Sequence, residues 1–180
     1  MTRGRQVLVP LMAAPLLFLS LQGQASGAQI ECGGRAGKVK AVTNPDYHFI
    51  TAKFQIPPGS LETLLSTTVT VSGRGASCLV AHLSAMAAPS DNYIVFQVRV
   101  DGVPMEGHLS GIPGVGPFPV VFEPEETDMN LPRMVAYNFF QEVDPGDHLV
   151  EVMVAAGSNI APLPAPQPAV GSPVLTLEYR

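Results

Sequence analysis

Four histidines are the residues of this chain best suited to acid–base chemistry or metal binding, because imidazole titrates near neutral pH. They are His48, His82, His108 and His148. They lie far apart along the chain, which contains neither a His-x-His pair nor a His-Glu-x-x-His motif. Zinc needs three or four converging ligands, so only the fold would assemble such a site. We therefore predict packed, hydrogen-bonded histidines as the default, an inert His108 on the solvent face of an edge strand, and no metal or cofactor.

Motifs for covalent catalysis and phosphate binding are absent. No serine occupies a Gly-x-Ser-x-Gly elbow, and no Gly-Lys-Ser/Thr phosphate loop occurs. Carboxylates cluster at Glu125, Glu126 and Asp128, which is the chemistry of a glycosidase pair or of a Ca²⁺ site. Their surroundings are typical of an exposed loop, and EF-hand spacing is missing. The sequence favours a protein without catalysis.

Aromatic side chains are the remaining candidates for ligand binding, since stacking platforms recognise glycans. The chain has no tryptophan and four tyrosines, all in strand-like segments. Tyr93 and Tyr137 are the best candidates for an exposed ligand-binding platform. The partner predicted for such a platform is a glycan or another protein.

The first 28 residues have the three-part layout of a secretory signal peptide. Two arginines supply the basic start, residues 7–21 are apolar, and residues 22–28 end in small side chains. The apolar segment is shorter than the roughly 20 residues that a membrane-spanning helix needs, and no later segment qualifies. We predict cleavage after Ala28, or after Ala25 or Gly27. The mature protein is then secreted, either extracellular or periplasmic.

Cys32 and Cys78 are the two cysteines of the chain. In an exported protein, two cysteines most simply form one disulfide bond. Closing this loop would restrain the unfolded chain by about 4 kcal/mol in the chain-entropy model. Lipid attachment at Cys32 is disfavoured because Gln29, Ile30 and Glu31 stand where lipoprotein processing requires small residues.

The composition indicates a compact, apolar protein. Hydrophobic residues make up 46% of the chain and charged residues 14%, against a typical charged share of about 25%. The net charge is −5, and lysines and arginines form no stripe, which excludes the usual nucleic-acid surface. Acidic residues concentrate between residues 123 and 151, as in a solvated loop. Few lysines beside abundant alanine, glycine, proline and valine are typical of a high-GC bacterial source.

The clearest structural element is a hairpin over residues 94–109, in which apolar and polar side chains alternate. Asp101-Gly102 favours a tight two-residue turn, and Pro104 makes the return strand an edge strand. This turn predicts the following register: Val100 with Val103, Val98 with Met105 and Ile94 with Leu109 on the core side, and Gln97 with Glu106 and Val95 with His108 on the solvent side.

A second hairpin is predicted from a strand at 134–143, a turn at 144–147 and a return strand at 148–156. Its Pro-Gly-Asp-His-Leu-Val-Glu-Val segment resembles the last hairpin of many exported bacterial β-sandwich domains, a resemblance that carries no functional residue. Further strands are predicted at 47–56, 67–72, 78–86 and 174–179, with one helical turn at 61–65 and loops at 111–119 and 161–173.

These elements predict an all-β fold, an antiparallel β-sandwich of about seven to eight strands, jelly-roll or Ig-like, in a single domain at 29–180. The predicted function is that of an exported, non-catalytic protein acting by binding or within an extracellular assembly. One alternative is a secreted hydrolase whose His and carboxylate site the fold assembles. Another is a subunit of a trimeric jelly-roll assembly, which requires a broad exposed apolar face.

Overall fold

The chain forms two antiparallel β-sheets in the computed structural model, which describes residues 37–53, 60–89, 93–107, 121–123, 132–157 and 167–180. Within these ranges there are strands and no helix, so none is long and apolar enough to cross a membrane. The predicted all-β, antiparallel sandwich is confirmed. The predicted signal peptide and Cys32 lie outside the described residues.

The described residues form eleven strands in the two sheets: β1 (Lys38–Thr43), β2 (Tyr47–Phe49), β3 (Glu62–Val71), β4 (Ser77–Ala88), β5 (Tyr93–Val100), β6 (Val103–Pro104), β7 (Glu106–Gly107), β8 (Val121–Glu123), β9 (Arg133–Val143), β10 (Gly146–Gly157) and β11 (Ala169–Tyr179). Sheet A has the order β1-β11-β4-β9-β7, with β2 paired to β11. Sheet B has the order β3-β10-β5-β6, with β8 paired to β5. Several strands are only two or three residues long, which is why they escape a sequence pattern.

The core lies between the sheets and follows from the period-two alternation of their long strands. On β4 the odd-numbered residues from Leu79 to Ala87 are buried, and on β10 the even-numbered residues from Val150 to Ala156 are buried. Phe96 from sheet B and Phe139 from sheet A are its largest fully buried side chains. Burying one such side chain contributes about 1.5–3 kcal/mol.

The turn of the first hairpin is confirmed. Asp101 and Gly102 have φ angles of 51° and 80°, the left-handed pair that a type I′ turn requires. Val100 pairs with Val103 as predicted, and the Met105 amide donates to the Val98 carbonyl at 2.8 Å. The hairpin is therefore present in its predicted register up to this point.

Beyond Met105 the predicted pairing is wrong, because the return strand leaves sheet B. Glu106 pairs with Phe140 of β9 in sheet A rather than with Gln97. Met105 itself is fully buried at the crossing. The chain changes sheets here because Pro104 cannot donate to the ladder, so the return strand is easily ended. Leu109 and His108 lie outside the described residues.

The prediction that Val95 and Gln97 of β5 face solvent is also wrong. Val95 is 0% exposed and Gln97 5% exposed. Val95 forms a second buried cluster with Ala155, which Ala52 and Leu61 cover. Alternation shows which side chains share a face, but it does not show whether another segment covers that face.

Both strands of the second predicted hairpin are present, but they do not pair with each other. β9 pairs with β4 and β7 in sheet A, whereas β10 pairs with β3 and β5 in sheet B. The segment between them therefore connects the two sheets. Each strand buries one face in the same core. The alternation of apolar and polar residues therefore fits a connection between the sheets as well as it fits a hairpin.

Two further predictions are corrected by β-bulges. The helical turn predicted at 61–65 is wrong, because β3 begins at Glu62. The adjacent Leu64 and Leu65 are both buried because the register shifts beside them. The loop predicted up to Pro173 ends earlier, since β11 begins at Ala169 and accommodates the proline within a register shift between Gly171 and Val174.

Candidate functional site

Three of the four histidines lie in the described part of the chain, and each pairs with a different carboxylate. The pairs are His48 with Glu62 at 2.9 Å, His82 with Glu178 at 3.4 Å and His148 with Asp101 at 2.7 Å. They lie on β2, β4 and β10, and the described residues contain no group of three ligands suited to a metal. These histidines do not converge, so their geometry gives no support to a hydrolase site.

The Glu62 carboxylate is a structural clamp between β3 and the segment that follows β2. It accepts hydrogen bonds from His48 Nε2 at 2.9 Å, from the amide and hydroxyl of Thr51 at 3.0 and 2.6 Å, and from the Ala52 amide at 3.1 Å. Burial alone would raise the pKa of Glu62, but the hydrogen bonds from Thr51 and His48 outweigh it and lower the pKa. The clamp leaves no carboxylate lone pair for a substrate.

Tyr93 and Tyr137, the two tyrosines predicted to bind a ligand, lie on different sheets. Tyr93 is on β5 opposite Gly157 of β10, where a Cβ would lie only 2.0 Å from the Tyr93 ring. The ring therefore rests on the glycine backbone. Burial raises the pKa of Tyr93.

Tyr137 is half-buried on β9 and packs against Phe96 across the core, with ring centroids 5.9 Å apart. Burial raises the pKa of Tyr137 as well, against the opposing charge of Arg133. Both candidate tyrosines thus have one ring face against protein, and the structure does not bring them together. A ligand-binding role for either stays a prediction.

Cys78 is half-buried near the start of β4, and the predicted disulfide to Cys32 stays a prediction. Cys78 and Gly37 lie on the two sides of the last residues of β11. Two inter-strand spacings put them about 10 Å apart. The five residues from Cys32 to Gly37 can span up to about 17 Å, so the chain length allows the bridge.

The outer face of sheet A carries the most concentrated exposed apolar surface of the described residues. Tyr47, Phe49 and Met134 are 55%, 60% and 70% exposed. Met86 connects them, since it pairs with Met134 across β4 and β9 and its sulfur lies 3.8 Å from the Tyr47 hydroxyl. We call Tyr47, Phe49, Met86 and Met134 the apolar patch.

The alternation of β2 places the two aromatic rings outside. His48 between them reaches inward to Glu62 of sheet B, so Tyr47 and Phe49 face the opposite side. Gly171 of β11 lies beneath the patch, where a Cβ would be 2.9 Å from the Tyr47 ring and 3.0 Å from the Met86 methyl group. Glycine at this position lets the aromatic ring and the methionine approach each other.

Small or apolar side chains continue this face between the patch residues. Ala88 lies beside Met86 on β4, and Ala136 and Val174 lie in the next cross-strand row. The first ionisable pair on this face, His82 with Glu178, lies farther along β4 and β11. Val39, 67% exposed on β1, pairs with Glu178 beyond the patch, and Val103 and Leu149 lie on sheet B. The patch is therefore contiguous and free of charge, as an interaction surface is.

The sequence prediction did not include the apolar patch, although one signal pointed to it. Residues 78–86 are a nearly continuous apolar segment, which places apolar side chains such as Met86 on the outer face of β4 as well as in the core. His82 and Ser84 interrupt that outer face, so the sequence alone does not mark the patch.

The comparisons with known proteins give no independent assignment. No model of a known protein family matches the chain, and no curated protein matches it either.

Proposed function

We propose that this protein is an exported, non-catalytic subunit that assembles with copies of itself through the outer face of sheet A. The observation that carries the proposal is the apolar patch. Its three large side chains are more than half exposed, with no charge among them, and the largest apolar patch on a protein surface is often functional. Export is supported by the leader-like residues 1–28.

We infer a jelly-roll connectivity for the sandwich. Taking the eight strands β1, β3, β4, β5, β8, β9, β10 and β11 in chain order as one to eight, sheet A reads 1-8-3-6 and sheet B holds 2-7-4 with 5 beside 4. This is the order produced by two Greek keys wound across two sheets. An Ig-like sandwich would instead keep its first two strands as neighbours in one sheet. The order supports the jelly-roll alternative.

A second copy of the chain is the partner that the patch fits. Its two flanks differ, because the β2 flank is aromatic and the β4–β9 flank is methionine. Sulfur–aromatic contacts are favourable, and within the subunit the Tyr47 hydroxyl already donates to the Met86 sulfur. The aromatic flank of one copy can therefore pack on the methionine flank of the next. A head-to-tail arrangement of this contact whose rotation closes gives a ring, the smallest of which is a trimer, and this is the assembly we propose; a two-fold axis through the patch would make the same contact twice in a dimer.

The surface area available for such an interface is sufficient when the whole outer face of sheet A takes part. The three exposed patch side chains supply roughly 100 Å² each, whereas a stable interface buries about 800 Å² per partner. Ala88 and the row of Val174, Ser84 and Ala136 extend this uncharged surface, and beyond them the polar row of Thr176, His82 and Asn138 would form part of the contact.

The test is the molar mass of the exported protein in solution. The full-length chain is expressed in an exporting bacterial host, its compartment and N-terminus are determined, and its mass is measured by light scattering over a range of concentrations. We expect a trimer for the wild type and a monomer for the double variant Phe49→Lys/Met134→Lys. The matched control Leu149→Lys, an exposed apolar residue on sheet B, should keep the trimer. A monomeric wild type at micromolar concentration contradicts the proposed assembly, and retention in the cytoplasm contradicts export.

A further inference from the structure

We propose that His148 is held as an imidazolium that latches two turns together at one end of the sandwich, and that its deprotonation releases one of them. The two turns are the β5–β6 turn, at Asp101, and the β9–β10 turn, at Asp144. This latch is independent of the proposed self-assembly, because it lies on sheet B and at the opposite end of the strands from the apolar patch.

Both ring nitrogens of His148 face hydrogen-bond acceptors. Nδ1 lies 2.7 Å from Oδ2 of Asp101, and Nε2 lies 2.7 Å from the backbone carbonyl oxygen of Asp144. An ionised carboxylate and a carbonyl can only accept, so both short contacts require a proton on each nitrogen. A neutral imidazole carries one proton and satisfies only one of them. The geometry therefore selects the charged form.

The acceptor on Asp101 is held in place by the backbone around it. Its other carboxylate oxygen accepts the Leu149 amide at 2.9 Å, and its own amide donates to the Leu149 carbonyl at 2.8 Å. Asp101 also occupies the left-handed region, with φ 51°, within the type I′ turn. The carboxylate cannot readily turn away from His148 without breaking these contacts.

The charged groups that face His148 are both acidic. They are Asp101 from the β5–β6 turn and Asp144 from the β9–β10 turn. From β3, the residue paired with His148 is the apolar Val69, and the neighbouring Asp147 is engaged by the Thr70 hydroxyl at 2.6 Å. The His148 side chain is 13% exposed, so water competes poorly for its protons.

The hydrogen bonds to Asp101 and then to the Asp144 carbonyl raise the pKa of His148, although burial opposes them. The imidazolium in turn lowers the pKa of Asp101, together with the Leu149 amide. When His148 loses a proton, the remaining one stays with the carboxylate, which is the stronger acceptor. The bare Nε2 then faces the Asp144 carbonyl oxygen, and the two lone pairs repel. The β9–β10 turn is released while the β5–β6 turn stays attached.

The test is a pH titration of the isotope-labelled, exported protein by NMR. We expect both His148 ring nitrogens to be protonated below a midpoint that lies above the ordinary 6.5. The Asp144 carbonyl carbon and the Gly146 amide should shift with the same midpoint. Asp101→Asn should lower that midpoint, and His148→Gln should abolish the shift at Asp144.

The control variant His82→Gln removes a histidine of sheet A and should leave the Asp144 titration unchanged. A His148 midpoint at or below 6.5 overturns the proposal. An Asp144 carbonyl-carbon chemical shift that stays constant while the His148 ring titrates also overturns it. If His148→Gln does not fold, the wild-type titration and the Asp101→Asn shift still decide between these outcomes.

Discussion

Glu62→Gln is the substitution that best tests how the β2 segment is fastened to sheet B. The side chain keeps its size, so only the charge and one acceptor are lost. In the wild type, one carboxylate oxygen accepts from His48 and the Thr51 amide, and the other accepts from the Thr51 hydroxyl and the Ala52 amide. The glutamine oxygen can serve one of these two pairs of donors.

The free-energy cost of Glu62→Gln comes from the pair of donors that the glutamine oxygen does not serve. With the glutamine oxygen on His48 and Thr51, the new NH₂ group faces the Ala52 amide, so two donors oppose each other. The Thr51 hydroxyl can rotate and accept, but the Ala52 amide is left unsatisfied in a half-buried place. An unsatisfied buried group costs about 1–3 kcal/mol, and the lost charge weakens the other bonds. The Glu62 side chain is 22% exposed, which limits solvent screening. We expect a loss of about 2–3 kcal/mol.

The assay is thermal unfolding at several pH values. For a chain of this size each kcal/mol shifts Tm by about 2–4 °C, so Glu62→Gln should lower Tm by roughly 5–10 °C at neutral pH. The folded-state pKa of Glu62 lies below the ordinary 4.5. Its stabilising effect is therefore complete above pH 4.5 and is lost as the pH falls through the lowered value. The Tm difference between wild type and variant should shrink in acid.

Glu142→Gln is the matched control, since Glu142 is an exposed carboxylate on β9. It should change Tm little. The reasoning is refuted if Glu62→Gln and Glu142→Gln have the same Tm at neutral pH. It is equally refuted if the difference keeps its size below the pKa of Glu62, because a pH-independent loss would come from packing rather than from the charge.

Two further substitutions test other parts of the fold. Gly157→Ala should destabilise the protein by about 1–3 kcal/mol in chemical denaturation, because the new Cβ would overlap the Tyr93 ring. Gly37→Ala is the control, because a Cβ at Gly37 would lie in open space. An equally small loss of stability for both variants would contradict the packing of Tyr93. In a Tyr93→Ala background, Gly157→Ala should destabilise the protein less. Thiol counting on the denatured protein should find no free thiol if Cys32 and Cys78 are bridged, and Cys78→Ser should then cost about 2–4 kcal/mol; two reactive thiols would disprove the bridge.

The strands themselves were largely predictable from the sequence, because period-two alternation is a local property. The predicted strand at 148–156 is present as β10, and that at 78–86 as β4. The Asp101-Gly102 turn was also predictable, since its left-handed φ angles restrict the residues that fit. The start of β3 was not, because a bulge buries Leu64 and Leu65 together and imitates a helical pattern.

The candidate site was less predictable than the fold. Tyr93 and Tyr137 carry the right chemistry for a platform, but exposure is decided by what packs on each ring, here Gly157 and Phe96. The apolar patch joins residues from β2, β4 and β9 that are distant along the chain. Their local trace in the sequence is the nearly continuous apolar segment of β4, which His82 and Ser84 interrupt on the outer face.

Local sequence patterns were enough to predict the all-β class, the positions of the long strands and the tight turn at Asp101-Gly102. These depend on side-chain alternation and backbone preference within a few residues. The assignment of β9 and β10 to different sheets, the separation of the described histidines and the contiguity of the apolar patch emerged from the three-dimensional fold. Those properties depend on which strands become neighbours, and many pairings bury the same alternating faces equally well. Cross-strand contacts between distant segments select one of them.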